Sequence, residues 1–338
     1  EPRAGSPEEP LMSRDQTAAP TEHRLPPFRS LLKSTEVEDP INIMVHRPLA
    51  YGFVWSIFRT PLTPNMVTVM AMIVGLASGW FFLQGGPTDM IVAGALLWAA
   101  AILDGADGIL ARAKNMSSQF GRALDGTADI VVACATVFPA FYHLWTKEQD
   151  PTHLYLMVPV ILLTVPHLHI YDYYKESYLR ATRLDRGGEG DDPEKVAKLA
   201  EQARERGPVA YFTTKYVLLP FVESQHKIIG LLNPLSLREG VEIERSEETA
   251  AVYRRHNLWP MRLWTIISLA PHSYLMAICA MFDRLDVYLW IRLVGMNSVM
   301  LVATVWQRRA TEKTMDELTA MGAVRGSVPS REGVVATN

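Results

Sequence analysis

Long apolar runs alternate along this chain with charged connections. Runs long enough to cross a bilayer as helix, which takes about 20 residues, lie at about 64–85, 88–112, 118–145, 152–178, 258–282 and 285–308. The first opens on Thr63-Pro64-Asn65, a helix start with proline in its first turn. Pro139, Pro159, Pro166 and Pro271 fall inside later runs and predict kinks that neighbouring helices accommodate. Ahead of these, Ile41 to Phe58 is apolar but interrupted by His46-Arg47-Pro48. It is too short and too broken to span. It reads as a helix lying in the membrane surface, with Tyr51 and Trp55 at headgroup level, or equally as an ordinary packing helix under the bundle. The predicted fold class is all-α: a polytopic membrane protein built as a six-transmembrane-helix bundle, with an N-terminal interfacial helix and a cytosolic insert.

The polar stretches divide the chain further. Residues 1–30 read as a disordered tail, with Pro2, Pro7, Pro10, Pro20, Pro26 and Pro27 in it. Glu1 to Pro27 has no apolar core of the kind a signal peptide carries, so insertion is expected from the internal segments. Residues 31–62 form the juxtamembrane part, 63–183 the first four spans, 184–256 an insert, 257–311 the last two spans and 312–338 a polar, mobile tail. Within the insert, Gly187 to Pro193 reads as a linker and Glu194 to Arg206 as a charged helix. Tyr211 to Leu232 is amphipathic: either a lid dipping into the interface or, more simply, part of a solvated peripheral subdomain.

Composition adds little, because the polar insert and tails offset the spans: the chain is 49% hydrophobic, yet mean hydropathy is only +0.05. A net charge of -3 gives no support for a nucleic-acid partner. Cys134 and Cys279, both in apolar runs, exclude a disulfide framework. Charge placement is more informative. Loops 84–90 and 146–152 and the turn near 284 hold only Lys147 and Arg284. The opposite side holds Arg47, Arg59, Arg112, Lys114, Arg122, Lys175, Arg180, Arg183, Arg308 and Arg309. The excess of positive charge on the cytosolic side of membrane proteins predicts that both termini face the cytosol.

One stretch carries chemistry. Asp104, Asp107, Asp125 and Asp129 sit inside strongly apolar surroundings. Carboxylates at such depth are costly and imply a partner, most simply a cation. Asp104, Asp107 and Ala111 share one helix face, and Asp125 and Asp129 share a face of the next. With helix ends near Ala113 and Ser118, Asp104 and Asp125 lie roughly 12 and 10 Å in from those ends, at one level. The short turn predicts that the two helices are antiparallel neighbours. Oxygen ligands with no His or Cys suit Mg²⁺ or Mn²⁺.

The pattern D-x2-D-G-x2-A-R-x8-G-x3-D-x3-D, filled by Asp104, Asp107, Gly108, Ala111, Arg112, Gly121, Asp125 and Asp129, resembles the signature of the CDP-alcohol phosphotransferases, integral membrane enzymes of phospholipid synthesis. The TPN-x-x-T element, Thr63 to Thr68, resembles theirs as well. The resemblance implies two metal ions held by Asp104, Asp107, Asp125 and Asp129, with Asp129 also the proposed base. It implies nucleotide contacts from Asn65, Thr68, Gly108, Ala111, Arg112, Ser118 and Gly121. The implied activity is transfer of a substituted phosphate from a CDP-alcohol to an acceptor alcohol with release of CMP, by a homodimer in the cell membrane whose active site faces the cytosol. Gly126 stands where members that use CDP-choline or CDP-ethanolamine tend to carry His. That favours CDP-diacylglycerol as donor and a polar alcohol as acceptor, the alternative being transfer to a lipid hydroxyl. His167, His169, Asp172, Lys175, Arg180, Arg183, Arg262 and Arg292 are candidate acceptor contacts, each with an ordinary reading as an interfacial anchor. Two rival readings are an aspartate-rich membrane prenyltransferase, which separates its acidic motifs more widely, and a cation transporter, which places its carboxylates near mid-membrane.

Overall fold

The computed structural model describes residues 25–32, 35–184, 193–205, 207–237 and 241–325. The N-terminal tail up to residue 24, the 187–192 part of the linker and the last thirteen residues fall outside them. Among the described residues the chain is almost wholly helical, and six helical segments are long and apolar enough to cross a membrane. The all-α polytopic reading holds.

A π-helical turn, Asn42–His46, runs directly into α1 (Arg47–Ile57), so His46-Arg47-Pro48 does not interrupt the helix. Pro48 sits in the first turn of α1. Trp55 is exposed, as a surface helix requires. Tyr51 instead donates to the Pro26 carbonyl at 3.1 Å. Then come α2 (Pro64–Gln84), α3 (Pro87–Ala113), α4 (Gln119–Glu148) and α5 (Thr152–Thr182). Pro139, Pro159 and Pro166 all lie inside continuous helices.

The short turn after α3 does not make α3 and α4 close neighbours. Both pack on α2, which is the hub of this half. The reason is steric. A Cβ on Gly79 would lie 1.9 Å from the Ala135 carbonyl oxygen, and one on Gly75 2.6 Å from Val132. Gly75 and Gly79, four residues apart, let the α2 and α4 backbones approach, the usual role of small residues at membrane helix contacts. On the other side, Ser78 of α2 donates to the Ala93 carbonyl of α3 at 2.8 Å. Met66, Val69, Met70, Ile73, Leu76, Trp80 and Leu83 form the exposed apolar stripe of α2, the face left for lipid.

The insert contributes α6 (Pro193–Ala203), α7 (Pro208–Phe212), a π-helical turn Thr213–Leu218 and α8 (Leu219–Leu232). It is not a solvated subdomain throughout. Val222, Gln225 and Ile229 of α8 are buried, and Gln225 donates to the His169 carbonyl of α5 at 2.9 Å.

The fifth span departs from its predicted bounds. α9 begins at Glu247 and ends at Thr265, and α10 covers Leu269–Met281. Pro271 causes the break: it has no N–H to bond the Ile267 carbonyl, and its ring clashes with that turn of helix. Ile266, Ile267 and Ser268 turn instead through i→i−3 bonds of 3.2 Å. In its most apolar window, Glu247–Met281 is 61% buried against 17–39% for the other five spans. It is the inner helix of the bundle.

The last span is α11 (Leu285–Trp290), a π-helical turn Ile291–Met296 and α12 (Asn297–Ala320). Polar residues after 312 remain helical to Ala320 because α9 holds them: Asn257 donates to Thr314 at 2.9 Å, and His256 meets Glu317 at 2.7 Å. Strand β2 (Val324–Arg325) then pairs antiparallel with β1 (Glu242–Ile243). Up to Arg325, the expected mobile tail is therefore ordered structure.

Candidate functional site

The site is set by two helix ends. α3 stops where Asn115 takes a left-handed conformation, φ 54°, and Met116 donates back to the Ala111 carbonyl at 2.8 Å, closing the end as asparagine often does. Three residues on, Ser118 caps α4, its Oγ accepting from Gly121 N at 2.9 Å. The ammonium of Lys114 ties this corner to the Thr60 and Leu62 carbonyls at 2.9 and 2.8 Å.

Three of the four carboxylates converge from α3 and α4, although the two helices are not the close neighbours expected. Asp104, Asp107 and Asp125 each offer an oxygen, all within 4.8 Å of one another. Asp107 is 6% exposed. Asp129 lies outside that triplet, but it is close enough for its charge to act on Asp104 and to feel Asp125 and Asp107. Two oxygens on one octahedral Mg²⁺ are at most ~4.2 Å apart, since each bond is about 2.1 Å. A modest side-chain rotation brings the triplet to that span, and the donors are hard oxygens. The residues fit a divalent cation.

The residues around the aspartates divide by what they touch. The hydroxyl of Thr68 on α2 donates to the carboxylate of Asp107 and lies 3.2 Å from the Pro64 carbonyl, so it orients a carboxylate. Asn65 Oδ1 lies 3.1 Å from where a Cβ on Gly121 would be, beside the Ser118 hydroxyl; these three form one small polar corner. Gly108 is roofed by the guanidinium of Arg112, 3.4 Å from its notional Cβ. Arg112 Nε donates to the Leu31 carbonyl at 2.6 Å, while its Nη2 is buried without a partner among the described residues. Ala111 is half-buried on the same face.

Two further residues belong to this neighbourhood. Arg47 of α1 forks onto Glu38, at 2.9 Å from Nε and 3.1 Å from Nη2, and its Nη1 reaches the Gly105 carbonyl at 3.3 Å. Its charge acts on Asp104 and on Arg112, which Glu38 also faces. Sequence alone gives Arg47 only as one of many basic residues on that side, since its partners lie nine and 58 positions away. Nearby, Asp39 caps the π-helical turn through Asn42 N at 2.9 Å. Burial pushes its carboxyl above the usual range, despite that bond.

The candidate acceptor residues do not gather in one place. On α5, His169 Nδ1 donates to the Val165 carbonyl at 2.8 Å, so its Nε2 accepts from Ser224 of α8, also at 2.8 Å. Asp172 pairs with Lys175 at 3.0 Å, Arg180 with Ser177 at 3.4 Å. The Arg183 carbonyl accepts from Arg245 at 3.0 Å, and Arg262 is exposed over the Trp259 ring. His167 and Arg292 are buried among α5, α10 and the last span.

Residues 61–184, which hold the first four spans and every aspartate of the cluster, match the family model for CDP-alcohol phosphatidyltransferase. The chain carries a CDP-alcohol phosphatidyltransferase domain. The chain is similar to part of the archaetidylinositol phosphate synthase of Pyrococcus horikoshii, 37% identical over 78 residues, which are 23% of this chain and 39% of that protein. It is also similar to the CDP-diacylglycerol–serine O-phosphatidyltransferase of Mycobacterium leprae, 41% identical over 70 residues, 21% and 22% of the two chains. The CDP-diacylglycerol–inositol 3-phosphatidyltransferase of Drosophila melanogaster is 32% identical over 88 residues, 24% and 37% of the two. The match thus spans well under half of each relative. The phosphatidyltransferase domain and the apolar helices together make this an integral membrane protein.

Proposed function

We propose that this protein transfers a substituted phosphate group from a CDP-alcohol, CDP-diacylglycerol, to a polar acceptor alcohol and releases CMP, in membrane phospholipid synthesis. The observation that carries this reading is the convergence of Asp104, Asp107 and Asp125 within 4.8 Å, inside the phosphatidyltransferase domain. The names of the Mycobacterium and Drosophila relatives specify CDP-diacylglycerol as donor, and Gly126 agrees with that branch.

In this reading Asp104, Asp107, Asp125 and Asp129 hold two divalent ions, Mg²⁺ or Mn²⁺. When bound, such ions neutralise the pyrophosphate and polarise the phosphorus under attack. The acceptor hydroxyl oxygen bonds to the β-phosphorus, the bond to the bridging oxygen breaks, and CMP leaves with that electron pair. Asp129 takes the hydroxyl proton. Thr68 braces the carboxylate of Asp107, a task usually given to the second layer of a metal site. Asn65, Ser118 and Gly121 line the nucleotide corner, and Gly108 and Ala111 keep the α3 face low enough for a flat pyrimidine. Arg112, whose buried Nη2 has no partner among the described residues, has a donor to offer a phosphate oxygen. The basic residues at the same end of the bundle support a cytosolic side for this site and both termini, and the reading takes a homodimer as the active unit.

The test is CMP release from CDP-diacylglycerol with a panel of alcohols. The purified wild type is expected to release CMP only with Mg²⁺ or Mn²⁺ present. Asp104→Asn is expected to lose metal-dependent nucleotide binding, and Asp129→Asn to keep binding better than turnover. Near-wild-type turnover in both variants contradicts the assignment. Cation flux in liposomes without CMP release from any CDP-alcohol would favour a transporter instead.

A further inference from the structure

Outside the aspartate site, the bundle buries a second polar group made of one guanidinium, two imidazoles and uncharged partners. Arg292, in the π-helical turn Ile291–Met296, is 5% exposed; His272 of α10 is 5% exposed and His167 of α5 is 1% exposed. The two imidazoles stack, with centroids 5.6 Å apart and planes 15° from parallel. Arg292 donates Nη1 to the Tyr288 hydroxyl at 2.9 Å and Nη2 to Thr164 Oγ1. Both partners are uncharged. Arg292 is the charge that acts on both rings, and no carboxylate is among the groups acting on them. From the helix ends at Met281 and Leu285, His272 and Arg292 lie roughly 14 and 10 Å into an apolar slab about 30 Å thick.

The group also has unused hydrogen-bonding capacity. Among the described residues, Arg292 Nε, His167 Nδ1 and both ring nitrogens of His272 are buried without a well-formed hydrogen bond, although His272 is turned toward the Ile267 backbone. The identity of each vacancy follows from its neighbours. Asn297 Nδ2 donates to the Arg292 and Leu293 carbonyls at 3.2 and 2.8 Å, so its Oδ1 faces His167 Nε2 at 3.2 Å and that nitrogen carries the hydrogen. His167 Nδ1 is then a bare lone pair. Arg292 Nε is a donor in every state, and neutral His272 has one N–H to give and one lone pair.

A guanidinium cannot shed its proton, and a charged group buried without a counter-ion costs several kcal/mol. Packing alone does not account for this arrangement. The polar layer lies between two apolar clusters, one holding Met276, Ala277 and Leu289, the other Trp264, Ile267 and Met296, where aliphatic residues would serve the core equally well. Its arginine sits in a π-helical turn, a feature frequent at functional sites.

We propose that Arg292, His272 and His167 form a binding site for a small anion in the core of the bundle, separate from the aspartate cluster. Arg292 supplies the charge and the Nε–H donor, His272 supplies a second donor, and Asn297 fixes the ring of His167. The lone pair on His167 suits an oxyanion that carries a hydroxyl; a bare halide uses the two donors only. The inference is independent of the transferase reading, so CMP release is not its readout.

The test is thermal unfolding of the purified full chain in detergent, with sodium gluconate replaced by sodium chloride or by inorganic phosphate at constant ionic strength. A ligand bound only by the folded state raises Tm saturably. We expect a saturable rise of several degrees. Phosphate acting at lower concentration than chloride marks the hydroxyl-bearing oxyanion, and the reverse order marks the halide. Arg292→Lys, which keeps the charge but removes the Nε–H, is expected to weaken the anion response at least tenfold. His272→Phe, which keeps a stacked ring, is expected to do the same. A wild type whose Tm ignores both anions overturns the proposal without recourse to any variant. So does a response that survives undiminished in whichever of the two variants folds.

Discussion

The hydroxyl of Thr68 on α2 donates to the carboxylate of Asp107 on α3, and both side chains are buried. Two consecutive helices are thereby joined at the candidate metal site through residues 39 positions apart. Thr68→Val removes the donor at nearly constant volume. A hydrogen bond to a charged group contributes about 1.5–3 kcal/mol, and loss of such a support typically weakens metal affinity ~10–100-fold. The expected outcome is a higher Mg²⁺ requirement in a titration of CMP release, restored by Thr68→Ser. An unchanged Mg²⁺ midpoint in Thr68→Val would show that Asp107 needs no brace.

Gly79 makes the tightest approach between α2 and α4. Its replacement by alanine puts a Cβ 1.9 Å from the Ala135 carbonyl oxygen, a backbone atom that cannot swing away. Overpacking of this kind costs about 1–3 kcal/mol, and the shift reaches α4, which carries Asp125. Gly79→Ala is expected to lower Tm in detergent. Gly52→Ala on α1, where nothing lies within 4 Å, is the control. It is expected to leave Tm level or to raise it, since alanine favours helix over glycine by up to ~1 kcal/mol.

Arg47 and Glu38 form a two-bonded ion pair, their side chains 15% and 9% exposed. Removing one partner of such a pair leaves a poorly solvated charge and costs roughly 3–5 kcal/mol in fully buried cases, less here because water still reaches Arg47. Glu38→Gln and Arg47→Gln are each expected to destabilise more than the double variant predicts by addition. A thermal-unfolding cycle with no coupling would make the pair incidental.

Asp39 gives a pH dependence of definite sign. Burial raises its carboxyl pKa in the folded state, so across the interval between the unfolded and folded values the folded chain binds more protons than the unfolded chain. Stability from this group therefore falls as pH rises through that interval. Asp39→Asn keeps a capping oxygen for Asn42 N and removes the titration. The variant is expected to gain Tm relative to wild type at neutral pH and to lose that advantage near pH 4. A constant difference across the range would assign the effect to something other than the carboxyl.

The spans and the aspartate register were legible because both are local. Apolar length reports a crossing, and i, i+3 and i, i+4 spacings report a shared helix face. What the sequence hid is pairwise. Nothing within a few residues of Gly75 and Gly79 says which helix they admit, so α2 as hub was missed although the spacing of the two glycines was a usable signal. Pro271 was read as a kink, but its place one turn after Ile267 ends a helix. The fork from Arg47 to Glu38 and the bond from Arg112 to Leu31 join segments that only the fold brings together.

Gly94 illustrates what the matched region needs from the rest of the chain. A Cβ there would lie 2.4 Å from the Ala277 carbonyl oxygen of α10, and Ala277 falls outside residues 61–184. A four-helix excerpt would present that bare glycine seam to lipid, with no mate to seal it. Chimaeras that exchange the C-terminal helices among homologues must therefore match residue sizes at this crossing, or the graft will not close.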